Sequence, residues 1–167
     1  KYNAVIKAIG ADSNAYTSDD LTVYHILAGK TALPKIAEIE ADRFQNLTYK
    51  EPEFQKEARA VLGEYNKNAS NPMEKMYEAL MDNAFSTHTY KHTTMGFVKD
   101  IENMPNEMAY SRQFFDRWYR LDNVGLLIVG DVQPDLTCSC GENEDGGWKA
   151  GGKRPSVPVE PPQKKEK

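Results

Sequence analysis

With 167 residues the chain is long enough for one domain with its own core, and 40% hydrophobic against 28% charged residues is the balance of an ordinary folded protein. A formal net charge of −4 argues against nucleic acid as a partner, because no global basic field is present. The longest apolar run, residues 124–129, has the length of a strand and is far too short to span a bilayer, so no membrane span is expected.

Apolar residues at 2, 5, 6 and 9, followed by Gly10, predict a helix that stops at the glycine. A natural chain rarely opens inside an amphipathic helix without a cap, so Lys1 is expected to be an internal position of a longer protein. Residues 14–17 and 21–28 read as two strands: Thr22, Val23, Tyr24 and Ile26 favour pleated backbone, and Ser18-Asp19-Asp20 is turn material. Leu33, Ile36, Ala37, Ala41 and Phe44 predict a helix over 32–46. Pro52 opens the clearest helix, running to about Asn68, with Phe54, Ala58, Val61, Leu62 and Tyr65 forming one apolar stripe. A further helix starts at Asn71-Pro72, with Glu74 placed for a capping box and Met73, Met76, Tyr77 and Leu80 as its buried side.

Residues 86–97 are a polar loop rich in Thr and His, and residues 99–104 a short helical turn. Pro105 starts the next helix, with Met108, Ser111, Phe115, Trp118 and Tyr119 inward; the aromatics at 114, 115, 118 and 119 read as core. Residues 123–130, nearly continuous in apolar side chains, predict a buried strand. From Asp135 the composition turns to Gly, Pro, Lys and acids, so residues 1–134 read as the folded part and 135–167 as an irregular, poorly ordered connector.

Glu57 and Glu64 are seven residues apart, which places them about 20° apart around a helix and two turns along it. Both lie beside the apolar stripe. Spacing alone leaves two readings open: a pair of solvated or salt-bridged glutamates, or a metal ligand with a supporting acid. His25, His88 and His92 form no His-x-x-x-His or His-x-x-Glu-His pair. His88 and His92 fall in a loop and read as surface, and His25 as a packed or hydrogen-bonded strand residue. Cys138 and Cys140 are too few for a structural zinc site and too close for an unstrained disulfide.

Taken in order, Asn14-Ala15-Tyr16-Thr17, Thr22-Val23-Tyr24, Glu40-Ala41-Asp42-Arg43-Phe44, Glu57 through Glu64, Tyr90-Lys91-His92 with Gly96, and Val129-Gly130-Asp131-Val132 resemble the pitrilysin/insulinase family of zinc metallopeptidases, in particular its bacterial processing-peptidase-like members. The resemblance covers residues 1 to about 134. It implies an α+β fold, an antiparallel or mixed sheet packed by helices on one face, of which this chain is a partial repeat within the N-terminal peptidase domain. In the family two histidines of a His-x-x-Glu-His motif bind Zn2+, and the glutamate between them is the general base.

That motif is absent from this chain, so its general base and histidine ligands are expected upstream and the chain alone is expected to be inactive. Glu64 matches the family's downstream zinc ligand and Glu57 its supporting acid. The resemblance thereby favours the ligand reading over the solvated one. Asn14 and Ala15 match the edge strand along which a peptide substrate aligns; an ordinary edge strand is the plain alternative.

The implied function is that of a zinc-dependent endopeptidase acting on peptides or unfolded segments, partnered by a second half-domain or subunit of the same family. A catalytically silent homologue holding substrate is the alternative, and the retained Glu57 and Glu64 favour the enzyme. Analogy with bacterial relatives suggests the periplasm or cell envelope. Residues 136–142 depart from the family, which has a helix after Gly-Asp-Val-x-Pro; a local reading-frame slip would produce this departure, and resequencing tests it.

Overall fold

The computed structural model describes residues 2–133 and 156–162. Cys138, Cys140, the departure at 136–142 and most of the expected connector lie outside the described residues. What is described is helix-rich with one small antiparallel sheet of two strands, which agrees with an α+β fold. No described helix is long and apolar enough to cross a membrane. The described residues fall into two units, one drawn from Lys1–Thr17, Leu21–Thr48 and Gln113–Arg154, the other from Ser18–Asp20, Tyr49–Arg112 and Pro155–Lys167.

In the first unit, α1 (Tyr2–Ala8) ends where Gly10 adopts a φ of 65°. That left-handed turn brings the Ala11 N–H to the Ile6 carbonyl (3.0 Å) and the Gly10 N–H to the Lys7 carbonyl (3.1 Å), satisfying carbonyls the helix would otherwise orphan. The sheet follows: β1 (Asp12–Thr17) pairs antiparallel with β2 (Thr22–Leu27), Asn14 opposite His25 and Ala15 opposite Tyr24. A 3-10 turn at Lys30–Ala32 leads into α2 (Leu33–Asn46), with Pro34 in its first turn and Ala41 buried.

Alternation along β2 puts Tyr24 on the covered face, where its ring meets Phe44 edge-on at 5.3 Å and its hydroxyl hydrogen bonds Tyr119. Tyr119 also stacks on Phe115 (4.7 Å). Burial, reinforced by Tyr24, raises the Tyr119 phenol well above its ordinary value.

The second unit is built on α3 (Glu51–Asn68), which packs against α5 (Val98–Asn103) and the 3-10 turn at Met104–Asn106. The Glu53 carboxylate accepts from the Lys50 N–H (3.1 Å) and so helps fix the α3 N-terminus. Ala58 and Tyr65 on the expected stripe are buried, with Phe54, Val61 and Leu62 half-buried beside them; Ile101 of α5 is 1% exposed. The Tyr65 hydroxyl donates to Glu78 (3.0 Å) on α4 (Pro72–Ala84), and Lys75 donates to that hydroxyl.

Asn71 caps α4, its side chain accepting from the Met73 N–H (3.0 Å). The expected capping box is not closed: the Asn71 N–H already donates to the Asn68 carbonyl (3.0 Å), so Glu74 has no donor to receive. Asn71→Ala is expected to lower stability in urea unfolding by about 1 kcal/mol, and Asn71→Asp to retain most of it. α6 (Met108–Trp118) begins three residues later than expected, because Pro105 sits in the preceding 3-10 turn.

Three burial expectations are corrected. The predicted inner side of α4, Met73, Met76, Tyr77 and Leu80, is 44–64% exposed. Residues 124–129 are extended but unpaired among the described residues, and Leu126, Leu127 and Val129 are 71–86% exposed. An apolar period reports that a face is suited to burial; it does not supply the cover, and a strand needs a partner to complete its ladder. On α6, Met108, Ser111, Phe115, Trp118 and Tyr119 are the less exposed side, as expected, but Phe114 is exposed.

Candidate functional site

α3 is continuous from Glu51 to Asn68, so Glu57 and Glu64 stand on one helical face about 10 Å apart along the axis. Both are exposed, and among the described residues neither carboxylate makes a hydrogen bond or ion pair. The buried stripe beside them, anchored by Ala58 and Tyr65, fixes which way this face looks. Their carboxylate oxygens are donors that zinc accepts. Among the described residues, no three His, Cys, Asp or Glu side chains cluster so as to hold a metal ion. The donor chemistry therefore fits α3 as a contributor of one carboxylate to a zinc site completed by other ligands, and does not fit a complete site.

Asn14 and Ala15 sit together on β1 in the other unit, both exposed. The Asn14 side-chain oxygen accepts from the Ala15 N–H (2.8 Å). With only two strands in the sheet, the flank of β1 away from β2 has no described neighbour.

Arg43, within the Glu40-Ala41-Asp42-Arg43-Phe44 run, organises the first unit. Its guanidinium lies over the rings of Tyr24 (4.6 Å), Tyr2 (4.8 Å) and Phe44 (5.2 Å) and pairs with Glu40, one turn earlier on α2. Tyr2 donates to the same Glu40 (2.6 Å). Burial first, and this bond second, push the Tyr2 phenol up to about 12, so it stays protonated and a donor. The Arg43 Nε is buried and has no hydrogen-bond partner among the described residues. Tyr2, Tyr24 and Arg43 also line a shallow pocket with Asn14, Ala15 and His25. The signal available in sequence was the Glu40–Arg43 spacing.

The histidines stay apart from any shared ligand geometry. His25 is exposed, with its ring 6.5 Å from Tyr16. His88 is half-buried between Phe85 (6.0 Å) and Tyr90 (4.2 Å), and its Nδ1 accepts from the Tyr90 N–H (3.1 Å). His92 is exposed, as expected for a loop residue.

Comparison with known proteins adds to this geometry. Residues 1–97 match the family model described as insulinase (peptidase family M16). The zinc protease PqqE of Helicobacter pylori is 32% identical over 133 residues, which is 79% of this chain and 30% of that protein. The human mitochondrial-processing peptidase subunit beta is 33% identical over 130 residues, 78% of this chain and 26% of that protein. The crystal structure of a protease from Helicobacter pylori aligns with a TM-score of 0.85 at 28% identity, covering 96% of this chain and 39% of that one. The periplasmic protease PqqL of Escherichia coli shares the fold, with a TM-score of 0.78 at 22% identity over 98% of this chain and 18% of its own. This chain thus spans about a third of the length of the curated relatives it matches.

Proposed function

We propose, since this chain belongs to the insulinase family of peptidases (family M16), that it is a segment of a zinc-dependent endopeptidase that hydrolyses peptides or unfolded protein segments. The relatives are zinc proteases, so the family chemistry is peptide hydrolysis with zinc. The observation that carries the reading to this chain is α3: Glu57 and Glu64 keep the family spacing on one exposed face, with both carboxylates uncommitted among the described residues.

In this reading Glu64 is the zinc ligand contributed by α3, and Glu57 is the acid that orients the site by hydrogen bonding. Zinc, when bound, supplies Lewis-acid polarisation of the scissile carbonyl. Asn14 and Ala15 hold the substrate backbone along β1, which gives main-chain hydrogen bonds without strict sequence choice. The general base and the histidine ligands are not among these residues, so the chain by itself is inactive. Residues 1–134 form part of an N-terminal peptidase domain, and 135–167 are the connector beyond it. A second half-domain or partner subunit of the same family completes the substrate enclosure. The reading includes a periplasmic or cell-envelope location, supported by the family resemblance alone.

The test is the coding sequence immediately upstream of Lys1. His-x-x-Glu-His encoded there is the expected result and makes the complete protein an active zinc peptidase. Other residues at those positions would overturn the enzyme reading and leave a silent, substrate-holding homologue.

A further inference from the structure

After α4 the chain bends through Ser86, Thr87 and His88, and the three backbone N–H groups of this bend converge on one side chain far away in sequence. One carboxylate oxygen of Glu160 accepts from the Ser86 N–H (2.7 Å) and the Ser86 hydroxyl (2.6 Å). The other accepts from the Thr87 N–H (2.8 Å) and the His88 N–H (2.8 Å). Each oxygen thus receives two donors, a geometry shaped to a planar carboxylate. Charged and titratable groups of the same stretch are engaged elsewhere: Lys91 pairs with Asp82 (2.6 Å), Tyr90 donates to Asp20 (2.6 Å), and His88 Nδ1 accepts from the Tyr90 N–H. The site therefore reads its anion with neutral donors, as successive backbone N–H groups in a concave bend do.

We propose that Ser86–Thr87–His88 is a carboxylate-receiving site whose built-in ligand is Glu160, so that residues 156–162 are latched onto the second unit by this one side chain. The segment belongs to no helix or strand, and Val157 and Val159 are exposed, so among the described residues neither valine supplies an apolar anchor that competes with the latch. The Ser86 hydroxyl first, then the backbone donors, hold the Glu160 carboxyl at about 2, against an ordinary 4.5. Because the folded value is the depressed one, the latch contributes fully above the ordinary value and is lost as pH falls through about 2. A residue in this position fixes where residues 156–162 lie on the second unit, which no sequence pattern indicated.

The test is amide hydrogen exchange and 15N relaxation on the whole chain. Glu160→Ala is expected to speed exchange at Ser86, Thr87 and His88 by about tenfold or more, as loss of charge-assisted hydrogen bonds should. It should also lower the order parameters of Val157 and Val159 from near 0.85 to below about 0.6. Amides of Ala58 and Ile101, in the buried part of the same unit, should not change, which separates loss of the latch from loss of the fold. Unchanged exchange at 86–88 in Glu160→Ala would overturn the proposal. Glu160→Gln, which keeps the length but not the charge, should behave like Glu160→Ala; full protection in that variant would overturn the assignment of the site to a carboxylate.

Discussion

Glu64→Gln, made in the full-length protein that the upstream reading frame encodes, is expected to lower kcat/KM for peptide cleavage by more than about 100-fold, with Glu57→Gln costing about 10- to 100-fold. The asymmetry follows from the roles proposed. A ligand that loses its charge leaves the metal short of one of three protein donors, whereas a supporting acid acts only through the groups it orients. Zinc content separates these roles independently of turnover: elemental analysis should find Glu64→Gln depleted and Glu57→Gln only weakened in retention. Both positions are exposed and carry no described hydrogen bond, so with zinc removed from parent and variants alike neither change should alter urea stability by more than about 0.5 kcal/mol. Equal zinc content in Glu64→Gln and the parent would remove Glu64 from the ligand set, and unchanged activity in both variants would return the two residues to the status of solvated acids.

The legible part of this fold is the part carried by local signals. Gly10 was readable as a helix stop because a positive φ is easy for glycine, and the structure puts it at 65°. The stripe of α3 was readable because five apolar residues recur at one face, and two of them, Ala58 and Tyr65, are the residues most fully buried there. Glu57 and Glu64 stood out as candidate site acids only through family order. Spacing alone could not distinguish a ligand from a solvated glutamate, and exposure and the absence of a described partner are properties only coordinates supply.

The illegible part depends on what comes from outside a segment. Met73, Met76, Tyr77 and Leu80 carry a clear helical period, and residues 124–129 a clear strand run, yet both remain exposed among the described residues. Period encodes which side is apolar and is silent about what lies against it. The Arg43 cluster was hidden for a different reason. Tyr2, Tyr24 and Arg43 are distant in sequence, and only the pairing of Arg43 with Glu40 has a local spacing. The Glu160 latch spans more than seventy residues and uses backbone donors, which leave no trace in side-chain identity.

Ile101→Ala is expected to destabilise the second unit by about 2–5 kcal/mol, measured by urea unfolding of the whole chain. Ile101 is the most completely buried large side chain described, and it stands on a helix of only six residues. A helix that short has little stability of its own, so α5 holds its place by packing on α3 and not by propensity. Cutting Ile101 back to Ala removes about three buried carbons and leaves a cavity that an anchored, continuous α3 cannot collapse to fill. The unit has few reserves: among the described residues its other buried apolar side chains are Ala58 and Tyr65, both on α3 itself. Since whole-domain stabilities are about 5–15 kcal/mol, this one change removes a large fraction of the total. Leu127→Ala is the control, because a side chain 86% exposed gives up little burial and should cost no more than about 0.5 kcal/mol. Similar losses in the two variants would mean that Ile101 does not anchor α5. A large loss confined to Ile101 ties the presentation of Glu57 and Glu64 to a packing contact on the buried side of the same helix, since α3 can hold its acids in one direction only while its apolar stripe is seated.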